Sequence, residues 1–148
     1  MSNYSRLSNI YRQMKKRCYN DNSKDFENYG KRGITVCKEW LNTERVNIGG
    51  NRFLSKGFIC FVTWSISNGY KNNLTLDRID NNKGYSPDNC RWVDWKTQSR
   101  NKRNNLYVIY KGEKIILKDY CDKLNLNYST IKSRLNIMHW SLERALTK

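Results

Sequence analysis

Residues 74–101 read LTLDRIDNNKGYSPDNCRWVDWKTQSRN. Leu74 to Asp80 alternates apolar and polar side chains and predicts a strand ending in acids. Asn81 to Asn89 is rich in Asn, Gly, Ser, Pro and Asp, which is turn chemistry throughout. Cys90-Arg91-Trp92-Val93 predicts a second short strand. Trp95 to Arg103 predicts a helix with a basic end at Lys96, Arg100, Lys102 and Arg103. In this pattern a strand delivers Asp77 and Asp80, the loop delivers Asn89, and the helix carries Asn101. Carboxylate and amide oxygens suit a hard divalent cation. A ββα hairpin–helix around one such cation is the site shape of single-metal phosphodiesterases, where the ion stabilises the leaving oxygen.

Upstream, Leu7, Ile10, Tyr11, Met14 and Cys18 recur at helical spacing and predict an amphipathic helix over 5–19. Arg6, Arg12, Lys15, Lys16 and Arg17 fill its other faces, and phosphate contact is the expectation for them. Ile34 to Cys37 is a short strand candidate after a basic Gly-flanked turn. Residues 42–57, with Gly49-Gly50 and Gly57, read as a loop. Phe58 to Ile66 is the most apolar stretch, a strand or a buried helix of the central core. The five tryptophans are expected to be core anchors.

Asn104-Asn105 marks the expected boundary, giving modules at 1–104 and 105–148. Past it, 107–110 and 114–117 predict a hairpin across Lys111-Gly112-Glu113. Helices are expected at 118–124 and 129–135, with Ser129 as an N-cap and Ser141 capping a last turn. Two short helices around Asn125-Leu126-Asn127 match a helix-turn-helix. Leu117, Tyr120, Leu124, Leu126, Ile131 and Leu135 form its expected core, and Asn127, Lys132 and Ser133 are candidates for groove contacts.

The whole is therefore expected to be α+β: a small ββα module with an N-terminal helix, plus a C-terminal hairpin and helix-turn-helix-like module. Composition narrows the function. The 148 residues carry 28 Lys+Arg against 13 Asp+Glu, a formal charge of +15, which points to a polyanionic partner. No apolar run approaches the ~20 residues of a membrane span. No signal peptide is visible at the N-terminus, so a cytoplasmic setting is expected, with no membrane partner. Five cysteines, odd in number, argue against a disulfide framework. The lone histidine, His139, excludes any mechanism needing a His pair.

The segment from Leu74 to Asn104 resembles the His-Asn-His (HNH) homing-endonuclease-like proteins of bacteriophages. A phage and prophage subgroup is matched more narrowly by RCYN (Arg17 to Asn20), by YGKRGITVCKEW (Tyr29 to Trp40), by Leu76 to Trp92, and by WSLERAL (Trp140 to Leu146). The match covers most of the chain outside roughly 42–57. The resemblance implies catalytic positions at Asp77, Arg78, Asn89 and Asn101, with Asp77 and Asn89 as ligands of Mg²⁺ or Mn²⁺. Arg78 stands where the family has its general-base histidine. An arginine stays protonated and accepts no proton from water. Loss of a general base costs on the order of 10²- to 10⁴-fold in rate. Arg78 could instead grip the scissile phosphate, with water activated by the metal or by Asp80, or the site could bind DNA and no longer cut.

Cys18, Cys37 and Cys90 each fall inside one of these motifs. Three thiolates with a fourth ligand could hold a structural Zn²⁺. They lack a CxxC pair, and buried thiols serve equally as small hydrophobes. Two function classes follow. One is a DNA-binding, HNH-like phage or prophage protein that nicks its target if the site is active. The other is a non-catalytic inhibitor of a host defence nuclease such as Cas9, of anti-CRISPR type. A helix-turn-helix regulator is a third reading, but no extended dimerisation helix supports it.

Overall fold

Leu7, Tyr11, Met14 and Cys18 line the buried stripe of α1 (Asn3–Tyr19), each under a tenth exposed. Their spacing puts them on one helical face, and burial of that face holds the helix in place. The computed structural model describes residues 3–147. It shows a mixed α+β chain in two units, the first running to Asn101 and the second from Lys102. The division thus falls slightly before Asn104-Asn105. Among the described residues no helix is long and apolar enough to cross a membrane.

In the first unit, two single 3₁₀ turns follow α1, at Phe26–Asn28 and Gly30–Arg32. The expected strand over 34–37 is reduced to one parallel bridge, Val36 with Tyr85. Its partner segment stays extended only briefly before Pro87, which has no N–H to continue a ladder. The approach is close. A Cβ on Gly84 would lie 2.4 Å from the Thr35 carbonyl oxygen, so this position requires glycine. A short helix, α2 (Lys38–Leu41), then seats Trp40 in the core.

Residues 42–57 are not a plain loop. They contain a hairpin, β1 (Arg45–Asn47) with β2 (Phe53–Ser55), in the register Val46 opposite Leu54. Gly49 and Gly50, both at positive φ, make its tip. Phe58 to Ile66 is helical, inside α3 (Lys56–Ser67), which Ser55 caps through its hydroxyl. Phe61 is fully buried and meets Trp40, Trp64 and Trp92, forming an aromatic core.

β3 (Thr75–Arg78) and β4 (Cys90–Val93) form the expected antiparallel hairpin, in the register Asp77 opposite Arg91. The following helix, α4 (Trp95–Arg100), is shorter than expected. It ends at Asn101, whose side chain turns back to the hairpin. Lys102 and Arg103 therefore lie beyond the helix, in the second unit. Trp95 is not a core anchor: it follows the Asp94 cap and keeps 67% of its surface in water.

The second unit pairs β5 (Tyr107–Tyr110) with β6 (Glu113–Ile116) across Lys111-Gly112, both at positive φ. Then come α5 (Leu117–Lys123), α6 (Tyr128–Asn136) and α7 (Leu142–Leu146). Its core is Leu117, Cys121, Ile131 and Ala145, with Tyr120 also buried. Leu124 is 44% exposed, because it sits at the end of α5 where the chain turns away through Asn125. Asn127, not Ser129, caps α6, and Ser141 caps α7 as expected. Trp140 is flanked by the guanidinium groups of Arg134 at 5.3 Å and Arg144 at 4.2 Å.

Candidate functional site

Strand pleating sends Asp77 and Arg78 to opposite faces of β3. Both are buried all the same, at 5% and 7% exposure, because each face is covered. On the Asp77 side the carboxylate accepts the Arg91 Nε at 3.0 Å from the strand position directly opposite. It also accepts the Asn101 Nδ2, at 3.2 and 3.1 Å to its two oxygens. The same Asn101 nitrogen donates to the Arg78 carbonyl at 2.6 Å. Asn81 in turn donates to the Asn101 backbone and side-chain oxygens. Gln98, one turn earlier on α4, donates to the Leu76 carbonyl at 3.1 Å. The amides of Asn101, Asn81 and Gln98 thus lock helix to hairpin, and the Asp77–Arg91 pair ties the two strands together.

Asn89 lies elsewhere in this network. Its Oδ1 accepts the Asp80 N–H at 2.9 Å, and its Nδ2 donates to the carbonyls of Asp80 at 3.1 Å and Gly84 at 2.9 Å. One buried amide therefore ties both ends of the 80–84 loop, satisfying backbone groups that would otherwise be left unpaired. The geometry pairs Asp77 with Asn101, and gives Asn89 to the loop. Asp80 caps its own turn, accepting the Asn82 N–H at 2.9 Å, with the Lys83 ammonium 3.9 Å away.

Arg78 points into the other face. Its Nη1 donates to the Lys83 carbonyl at 2.7 Å. Its guanidinium lies 5.0 Å from the Tyr29 ring centre and 5.1 Å from that of Tyr85. A cation against two aromatic faces is favourable where water is excluded. Cys18 and Cys90 are neighbours here: burial pushes their thiols up to about 11 and about 12, with the Arg78 charge opposing the rise in both.

These residues do not fit a hard dication. Asp77 supplies one carboxylate that already carries a guanidinium, and Asn101 presents its nitrogen to it rather than its oxygen. A hard divalent cation takes several oxygens. Among the described residues, no three His, Cys, Asp or Glu side chains gather into a set able to hold a metal ion, and that includes Cys18, Cys37 and Cys90.

The basic residues divide by environment. Arg12, Lys16, Lys96 and Lys132 are exposed, as are Lys102 and Arg103. Lys15 is half-buried, with its ammonium 5.0 Å from the Tyr11 ring centre. Arg100 is also half-buried. Arg17 is drawn inward, its Nε 3.4 Å from Asp25 and its guanidinium against Tyr29. Ser133 is exposed on α6, but Asn127 commits its oxygen to the Thr130 N–H.

Sequence reasoning missed Arg91, Asn81, Gln98, Tyr29 and Tyr85. Only Arg91 had a signal: a hairpin register would have set it opposite Asp77. No family model matches the chain, and neither a curated protein nor a solved structure is detectably similar to it.

Proposed function

We propose that the chain binds DNA through basic surfaces on both units, and that its HNH-like hairpin–helix is kept as a binding scaffold that does not cut. The observation that carries the non-cleaving reading is Arg78. At the position of the resemblance's general base, its guanidinium is buried against Lys83, Tyr29 and Tyr85, where it neither accepts a proton nor reaches a phosphate.

Binding is supported by charge and placement. The net charge is +15. The α1 sequence contains no acid, and its exposed side carries Arg12 and Lys16. The α6 sequence, YSTIKSRLN, also lacks acids, and Ser129, Thr130, Lys132, Ser133 and Asn136 are exposed along it. A helix following a short turn, with hydroxyl, amide and lysine side chains outward, suits the second helix of a helix-turn-helix entering a groove.

The test is a salt titration of binding to a fluorescent 30-bp duplex. About six phosphate contacts would weaken affinity on the order of 10³-fold between about 50 and 200 mM salt. A flat salt dependence, or no binding at about 50 mM salt, would overturn the reading. Tight capture of a guided nuclease such as Cas9, with little affinity for the duplex, would replace it with the inhibitor reading.

A further inference from the structure

Ser8, Arg12 and Lys15 recur at i, i+4 and i+7, so they form one stripe along α1. Together with the β1–β2 hairpin this stripe lines a cleft of about 390 Å³. Arg45 and Phe53 line it from the hairpin side. With Arg45 opposite Ser55 and Asn47 opposite Phe53, they are diagonal neighbours on one face of the hairpin. The buried rings of Tyr11 and Phe58 back the cleft.

Three cations, Arg12, Lys15 and Arg45, therefore line one cleft, and among the described residues its lining holds no carboxylate. Glu44, the acid next to Arg45 in sequence, is taken by Lys56 at 2.6 Å. Each of the three is held by a neutral group instead. Arg12 donates to the Asn9 amide oxygen at 2.6 Å. The Lys15 ammonium lies 5.0 Å from the Tyr11 ring centre, and the Arg45 guanidinium 5.8 Å from that of Phe53. An amide or a ring face orients a cation without cancelling its charge. Arg17 and Arg91 differ, since Asp25 and Asp77 neutralise them. Like charges gathered around one cleft repel, and an anion placed among them turns that repulsion into attraction. Guanidinium and ammonium groups carry several N–H donors each, so one such contact does not exhaust them. Positive charge continues beyond the cleft, at exposed Lys16 on α1 and at exposed Arg52 by the hairpin tip. A chain of phosphates uses that continuation, and a lone anion does not.

We propose that this cleft is a phosphate clamp: one backbone phosphodiester of the bound nucleic acid sits between α1 and the hairpin, held by Arg12 and Lys15 from one wall and by Arg45 from the other. Arg12 and Lys15 are about 4.5 Å apart along the helix axis, close enough to share one phosphate. The proposal rests on the DNA-binding reading and gives the β1–β2 hairpin a part in it. A phosphate contact carries no base preference, so the clamp sets position rather than sequence.

The experiment follows binding of the full chain to the same fluorescent duplex as salt is raised. It compares wild type with Arg45→Gln, Arg12→Gln, the double variant, Arg45→Lys and Lys71→Gln. Lys71 is exposed and does not line the cleft. Arg45→Gln is expected to weaken binding about tenfold at about 50 mM salt, the scale of one lost hydrogen bond to a charged group. The double variant should lower the slope of log affinity against log salt by no more than about 0.9, the share of one phosphate. Arg45→Lys keeps the charge and should retain most of the affinity. Lys71→Gln removes the same charge elsewhere and should stay near wild type. Arg12 and Arg45 are exposed, so all variants should unfold at the wild-type temperature. Equal losses for Arg45→Gln and Lys71→Gln would overturn the proposal. So would a slope loss near about 1.8 in the double variant, the mark of two separate phosphates. If the wild type binds with a steep salt dependence and Arg45→Gln matches it, the clamp falls and the DNA-binding reading stands. If the wild type does not bind, both fall.

Discussion

Asn89→Ala is expected to destabilise the first unit by about 3 kcal/mol, the summed scale of three buried neutral hydrogen bonds at roughly 1 kcal/mol each. The bonds lost are those to the Asp80 N–H and to the carbonyls of Asp80 and Gly84. Asn89 is 8% exposed, so water does not readily replace them. Asn89→Asp should fare no better. Its second oxygen would face two carbonyl oxygens where an amide nitrogen now donates. A metal-ligand role for Asn89 makes the opposite forecast. Aspartate would then be the better ligand, and the variant would gain stability on addition of Mg²⁺ or Mn²⁺. Urea unfolding followed by tryptophan fluorescence separates the two. An Asn89→Ala cost under about 0.5 kcal/mol, the range of ordinary surface changes, would contradict the loop-tether role.

Arg78→Ala is expected to cost a similar amount, about 3 kcal/mol. It removes a charged hydrogen bond to the Lys83 carbonyl, worth roughly 1.5–3 kcal/mol. It also removes two cation–aromatic contacts, at roughly 0.5–2 kcal/mol each where they are desolvated. Part of that loss is returned, since the variant no longer buries a charge. Arg78→His is the more telling change, because it restores the residue type that the resemblance places there. The imidazole is too short to reach the Lys83 carbonyl, and its strand position faces Tyr29 and Tyr85 rather than Asp77. The variant should therefore be destabilised and still not cut DNA. Metal-dependent nicking gained by Arg78→His would show that this face of β3 does look onto a catalytic centre.

The elements with strong periodicity were legible. The buried stripe of α1 and the alternation up to Asp80 gave the first helix and the β3–β4 hairpin, with β3 shorter at both ends than the expected 74–80. The β1–β2 hairpin was not legible, since each of its strands has three residues and only Val46 and Leu54 carry the apolar pairing. Helix against strand at Phe58–Ile66 could not be decided from an all-apolar run. The capping hydroxyl of Ser55 was the local signal.

The site was half legible. Asp77, Asn89 and Asn101 were picked out by residue type and order, and all three are engaged in the hairpin–helix region. Their division of labour was not visible, because it depends on which amide faces which carbonyl. The inward turn of Arg78 and Arg17 depends on Tyr29 and Tyr85, aromatic partners distant in sequence from at least one of them. Charge alone puts an arginine outside. The exposure of Trp95 had one marker: Asp94 caps the helix, and the residue after a cap starts the first turn.

The most direct measurement is a single plasmid gel. Supercoiled plasmid is incubated with the wild-type chain and with Asp77→Ala, in Mg²⁺ and in Mn²⁺, and each sample is run with and without prior removal of protein. A binding scaffold retards the plasmid when protein is present and leaves it supercoiled once protein is removed, for both proteins. Conversion of the plasmid to the nicked form by the wild type, abolished in Asp77→Ala, would contradict the account and make Asp77 a catalytic residue.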